Sequence, residues 1–370
     1  MSVASGTSRT RARTAGARQP AARKAAARKP PARRPAGKPS GRKPTGRKAA
    51  PRGRTAPPPA PRRRWLPVLL LVLGLLAGWV LHPDTRVGGV TSAAGHDRYA
   101  AAYREALRDL PPPAASLDLR TDFGVVRVHR FAGANPQQPA LVLLADRGRA
   151  TPDWAPLVGP LVRQRTVYAV DTLGDAGMSL QSRPLENDSD AANWLYQVLG
   201  QLPGRGYVLV GAGSGGWAAV NLAVRRPGPV AGLVLLDPER VFADPPVTDG
   251  LRHWISAEPD RPQAWQRAWL EQHAGAPVTG SAGRLAAAGL AEHRDRSRLG
   301  DSIAERQLRE LQIPTLALLA GGSGIQDAGA AEARAKLLPR GTVRTLPGAP
   351  HDLVHTRTPE VLAELTAFLR

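Results

Sequence analysis

The sequence predicts an α/β domain: a mostly parallel central sheet with helices on both faces. Three observations point there. Short apolar strand patterns alternate with helical ones from about residue 116 to the C-terminus. Ala140–Ala145 is apolar throughout, as expected of a strand covered on both sides. The stretch Tyr207-Val-Leu-Val-Gly-Ala-Gly-Ser-Gly-Gly-Trp-Ala-Ala219 runs from a β-branched strand through a glycine cluster into a helix.

Residues 1–64 carry 20 Lys/Arg and no Asp or Glu. The rest of the chain holds 31 basic and 30 acidic residues, so the formal charge of +21 belongs to the tail. Such a segment buries too little apolar surface to offset its chain entropy and is expected to be a disordered, cytoplasmic basic tail touching anionic lipid. Nucleic acid is not the expected partner, because the predicted folded domain is nearly neutral. There is no cysteine among the 370 residues, which excludes disulfides and thiolate metal sites.

Residues 65–82 are expected to form a transmembrane helix. The run 65–81 has no charge, Trp65 and Trp79 lie near its ends, and Arg62-Arg-Arg64 precedes it. That charge asymmetry places the tail in the cytoplasm and the remainder outside, in a single-pass cell-membrane protein. Residues 83–115 read as a linker and a short helix, Asp97–Leu110, stopped by Pro111-Pro-Pro113.

Leu117–Arg120 and Val125–Phe131 flank Asp122-Phe-Gly124 as a hairpin. Further strands are expected at Thr166–Val170, Tyr207–Val210, Gly232–Leu236, Thr315–Leu319 and Thr342–Leu346. Helices are expected near 155–163, 190–202, 215–226, 329–338 and 358–369. The alternation breaks between Asp237 and Gln312, and about 240–310 reads as a helical cap over the C-terminal ends of the strands.

Four motifs, in order, carry a family resemblance. The glycine cluster after Tyr207 is the first to consider, similar to a G-x-S-x-G nucleophile elbow. Upstream, Val170-Asp171-Thr-Leu-Gly-Asp-Ala-Gly-Met-Ser179 is similar to a D-x-x-G-x-G-x-S turn. Leu235-Leu-Asp237-Pro238 follows the next strand, and Pro347-Gly-Ala-Pro-His351 is similar to the P-G-x-x-H loop. Residues 116–370 therefore resemble the α/β-hydrolase superfamily, in particular membrane-anchored members from high-GC bacteria. The resemblance implies the α/β-hydrolase fold with a helical cap and a Ser-His-Asp triad.

The triad reads as incomplete. Aligning Gly211 and Gly215 with the outer glycines puts Gly213 at the nucleophile position, and glycine has no oxygen to attack with. Ser214 falls one residue late. His351 stands where the family's base would be. The expected acid position holds Ser323, with Asp327 one turn further on; Asp237 is the alternative, though a turn-forming role before Pro238 is the simpler reading. The oxyanion loop, usually His-Gly-Gly, reads Ala145-Asp146-Arg147-Gly148, which suggests a solvated turn. The expectation is a hydrolase-fold protein without standard hydrolysis that binds a small ligand or protein partner. The alternative is an esterase-type serine hydrolase with nucleophile Ser214, base His351 and orienter Asp327 or Asp237. No cofactor is expected. The eight histidines are scattered along the chain, and no metal site is expected either. There is no Walker loop, and Asn187-Asp-Ser189 matches an N-glycosylation triplet.

Overall fold

The computed structural model describes residues 70–71, 86–245, 259–298 and 300–370. The predicted tail, and the predicted membrane segment apart from Leu70 and Leu71, lie outside these. Among the described residues no helix is long and apolar enough to cross a membrane.

The domain begins with a short strand, β1 (Gly89–Val90), and helix α1 (Ala93–Leu107). Ser92 caps α1 by accepting from Gly95 N–H at 3.0 Å. The helix therefore starts four residues before the expected Asp97, inside the predicted linker. The next strands are β2 (Ala115–Thr121), β3 (Gly124–Phe131), β4 (Ala140–Leu144), β5 (Val167–Val170) and the two-residue β6 (Leu180–Gln181), with helix α2 (Ala155–Val162) between β4 and β5. Helix α3 (Asp188–Gln201) leads to β7 (Tyr207–Ala212), α4 (Gly213–Arg225) and β8 (Val230–Leu236). Two described helices follow, α5 (Gln263–Ala274) and α6 (Gly280–Glu292), then β9 (His293–Arg294) and α7 (Glu305–Glu310). The chain ends with β10 (Thr315–Ala320), α8 (Ala328–Ala335), β11 (Gly341–Leu346), α9 (Leu353–Thr356) and α10 (Thr358–Phe368).

The main sheet runs β2-β3-β5-β4-β7-β8-β10-β11, with β6 beside β3. Pairing is parallel from β5 to β11, and β3 is antiparallel to both of its long neighbours. Alternate side chains feed two cores. Val142 and Leu144 of β4 join one; Leu141 and Leu143 join the other. Strands β4 and β7 are buried along their whole length. Their apolar side chains therefore drive burial on both faces, while the polar chemistry is displaced to the loops at the strand ends.

The elbow between β7 and α4 depends on glycine. A Cβ on Gly211 would meet Gly215 O at 2.5 Å, so a side chain would push strand and helix apart. Gly213 has φ +48, a left-handed conformation that glycine adopts without steric cost.

Candidate active site

The loops after β4, β7, β8, β10 and β11 meet at one end of the sheet. His351, on the loop after β11, is buried, with its side chain 3% exposed. Its Nδ1 lies 2.7 Å from Asp237 Oδ2. Asp237 therefore contacts His351 directly and is not merely a turn former before Pro238. It sits at φ +42, unusual for a non-glycine residue. Four partners hold it there. Ala320 N–H (3.1 Å) and Gln326 Nε2 (2.7 Å) donate to Oδ1, while Ser323 Oγ (2.8 Å) and His351 meet Oδ2. Ser323, in the expected acid position, thus donates to the carboxylate of Asp237 at the end of β8.

The structure does not bring Asp327 to this pair. Its carboxylate caps α8, accepting from Ala330 N–H at 2.6 Å. Ser214 reaches the site through its backbone: its N–H donates to Asp146 Oδ1 at 2.9 Å. No hydrogen bond joins Ser214 Oγ to His351; the ring nitrogens of His351 face Asp237 and Asp146. The shifted register therefore does not produce a Ser–His contact.

Asp146 occupies the place of the missing nucleophile. A side chain built on Gly213 would run into its carboxylate, with Oδ2 2.8 Å from the added Cβ. That oxygen lies 3.1 Å from His351 Nε2. The other, Oδ1, takes the Ser214 N–H that the family resemblance assigns to the oxyanion hole. The Asp146 side chain is only 13% exposed, so the solvated turn expected there is a mostly buried charged cluster instead.

Helix α5 adds a residue the sequence did not flag. His273 Nε2 lies 3.2 Å from Asp146 Oδ2 and 3.4 Å from Glu239 Oε1. The second distance suits an ion pair, but the contact lacks hydrogen-bond alignment, and Glu239 Oε1 has no hydrogen-bond partner. The His273 ring stacks on Trp269 at 4.8 Å between centroids and meets His351 edge-on at 5.0 Å. The sequence predicts no metal site, but four ionisable side chains distant in the chain converge here. One ligand atom each from Asp146, Glu239, His273 and His351 lie within 4.8 Å of one another. The sequence motifs place Asp146 only in the oxyanion loop and do not single out Glu239. Nothing in the local sequence marked His273.

These contacts set the protonation. Burial is the largest influence on both histidines and favours the neutral form, but the neighbouring carboxylates outweigh it. His351 is raised well above its ordinary value by Asp146 and Asp237. His273 is raised to about 9 by Asp146 and Glu239. Asp146 is correspondingly held well below the usual carboxylate range, its two histidine partners overcoming its burial. Arg147 lies 3.9 Å from Glu239 and 3.7 Å from Asp295, and Arg149 bonds Asp153 at 2.8 Å.

A nucleophile elbow, a histidine after the last strand and the aspartate it contacts now lie at one end of the sheet. The model of the alpha/beta hydrolase family matches residues 141–365. The chain belongs to this family. Among alpha/beta hydrolases, curated relatives include carboxylesterase YbfK and an uncharacterized carboxylesterase, nap, both of Bacillus subtilis (strain 168). Each is 30% identical over 145 residues, 39% of this chain and 48% of the relative. The chain therefore spans about half the length of these relatives. The crystal structure of carboxylesterase CesB (YbfK) from Bacillus subtilis superposes with a TM-score of 0.69 at 21% identity, covering 75% of this chain and 99% of that one. A membrane phospholipase A structure aligns over 83% of this chain and 98% of its own, at TM-score 0.58 and 19% identity. At these identities the superpositions establish the alpha/beta hydrolase fold.

Proposed function

We propose that this protein hydrolyses carboxylic esters, with His351 and Asp237 handling the proton. The 2.7 Å contact between Asp237 Oδ2 and His351 Nδ1 carries the reading, because it aims Nε2 at the nucleophile's place. The curated relatives are carboxylesterases, which favours the esterase alternative over a site that only binds.

The attacking oxygen differs from the family pattern. Gly213 offers none, and Ser214 Oγ makes no bond to His351. Water takes the role. Displacing the Asp146 carboxylate, one of the two that raise the His351 pKa, favours the neutral imidazole, whose Nε2 deprotonates the water as it adds to the ester carbonyl. The proton then passes to the departing alkoxide as the C–O bond breaks, giving acid and alcohol. Ser214 N–H is the donor for the carbonyl oxygen, once the substrate displaces Asp146 Oδ1. Without a seryl nucleophile, such a site retains about 10³–10⁴-fold acceleration over water.

The full chain should turn over p-nitrophenyl esters slowly. His351→Gln and Asp237→Asn should each lower kcat/KM at least tenfold, and a fluorophosphonate should not label the wild type. No turnover in a folded sample, or turnover untouched by His351→Gln, would contradict the reading. Labelling abolished by Ser214→Ala would return the nucleophile to Ser214. One observation favours a second reading, in which the site binds a small ligand without turning it over: the Asp146 carboxylate already fills the nucleophile's place. A folded chain that binds short-chain carboxylates but hydrolyses no ester would select it.

A further inference from the structure

We infer that Asp146, Glu239, His273 and His351 form a binding site for a divalent transition metal of the zinc type. The geometry carries this. Ligand atoms held about 2.0–2.1 Å from a tetrahedral zinc stand roughly 3.4 Å apart. Here His351 Nε2 is 3.1 Å from Asp146 Oδ2, His273 Nε2 is 3.2 Å from that same oxygen, and Glu239 Oε1 is 3.4 Å from His273 Nε2. One ligand atom from each of the four residues falls within 4.8 Å of the others. Two imidazoles and two carboxylates are a nitrogen and oxygen donor set that zinc accepts, and two carboxylates balance a dication.

Three further features fit. Glu239 is buried, and its Oε1 has no hydrogen-bond partner, so an acceptor is held out of water beside three other ligand atoms. Its nearest cation, His273 Nε2, lies at an ion-pair distance of 3.4 Å without hydrogen-bond alignment, so the oxygen keeps acceptor capacity that a metal would use. Asp237 holds His351 Nδ1 at 2.7 Å, the carboxylate–histidine arrangement that fixes a metal-ligating ring with Nε2 outward. Neither nearby guanidinium pairs with the proposed ligand atoms, although Arg147 meets Glu239 through its other oxygen, Oε2. Arg147 lies between Glu239 Oε2 and Asp295, and Arg149 between Asp153 and Asp352.

The site draws on three parts of the chain. Asp146 follows β4, Glu239 follows β8, and His351 follows β11, all at one end of the sheet; His273 comes from α5. A bound cation would fasten α5 to that end. It would also take the His351 Nε2 lone pair, and so inhibit ester hydrolysis. That consequence alone rests on the proposed function; the site itself rests on the four ligand atoms.

The test treats the full chain with a chelator, desalts it, and titrates it with zinc chloride by calorimetry and against a chromophoric chelator. One saturable equivalent is expected. His273→Gln and Glu239→Gln should each weaken it at least tenfold while leaving the circular dichroism spectrum unchanged. Cobalt(II) gives a second reading on the wild type alone, since a four-coordinate site shows intense visible bands. No saturable equivalent in folded wild type would overturn the proposal. So would an equivalent that both variants keep at full affinity, or the weak bands of six-coordinate cobalt. Binding is read without substrate. A chain that binds one zinc but hydrolyses no ester therefore upholds the site and removes only the inhibitory consequence.

Discussion

At Gly213 two constraints coincide. The backbone is left-handed, at φ +48, and the space a side chain would enter holds the Asp146 carboxylate. Together they explain why a residue without an oxygen stands at the elbow: Asp146 and a side chain at 213 exclude each other. A left-handed conformation costs an alanine about 1–2 kcal/mol, and the collision adds to it. Gly213→Ala should therefore destabilise the chain by about 2–4 kcal/mol in urea denaturation. In an Asp146→Gly background only the backbone cost remains, so the same change should cost about 1–2 kcal/mol. Equal costs in both backgrounds would show that Asp146 does not fill that space. Asp237 is the opposite case. Its backbone strain is real, and four hydrogen-bonding partners hold the residue in place.

At the scale of elements, α1 packs against α6, and β1 pairs with β9. His293 lies within this contact, edge-on to Tyr99 at 4.2 Å. Burial lowers its pKa to about 4, against the smaller opposing influence of the Gly177 backbone. The folded chain thus keeps His293 neutral while the unfolded chain protonates it near 6.5. The associated stability is fully present above pH 6.5 and is lost as pH falls through the window down to about 4. It amounts to roughly 3 kcal/mol. Urea midpoints measured from pH 7 to pH 4 should fall less steeply in His293→Phe, which keeps the ring against Tyr99. Parallel slopes would refute the assignment. The elements themselves were largely legible. The apolar runs behind β4, β7, β8 and β10 needed no tertiary information, because burial on both faces writes itself as unbroken hydrophobicity. The pairing of Gly89–Val90 with His293–Arg294 was not legible, since two-residue strands carry no periodicity. The elbow, His351 and the absence of a seryl oxygen at 213 could be read from local motifs. The choice of Asp237 over Asp327 as the partner of His351, and the arrival of His273, could not. Both depend on which loops the strand order brings together, and neither leaves a local spacing.

Across the described domain, the parallel strand order brings five residues, Asp146, Gly213, Asp237, Ser323 and His351, to one end of the sheet. The scaffold of an alpha/beta hydrolase is intact, and the carboxylate on His351 Nδ1 comes from the β8 loop, while the β10 loop supplies Ser323. The central claim is that this end still holds a working acid–base pair, aimed at a place where a carboxylate has replaced the seryl oxygen. Restoring that oxygen tests it most directly. The double variant Gly213→Ser, Asp146→Gly supplies the hydroxyl and clears its space. Labelling of the full-length variant by a fluorophosphonate probe should appear, and should vanish when His351→Gln is added. A folded double variant that takes no label, or one that labels equally well without His351, would contradict the account.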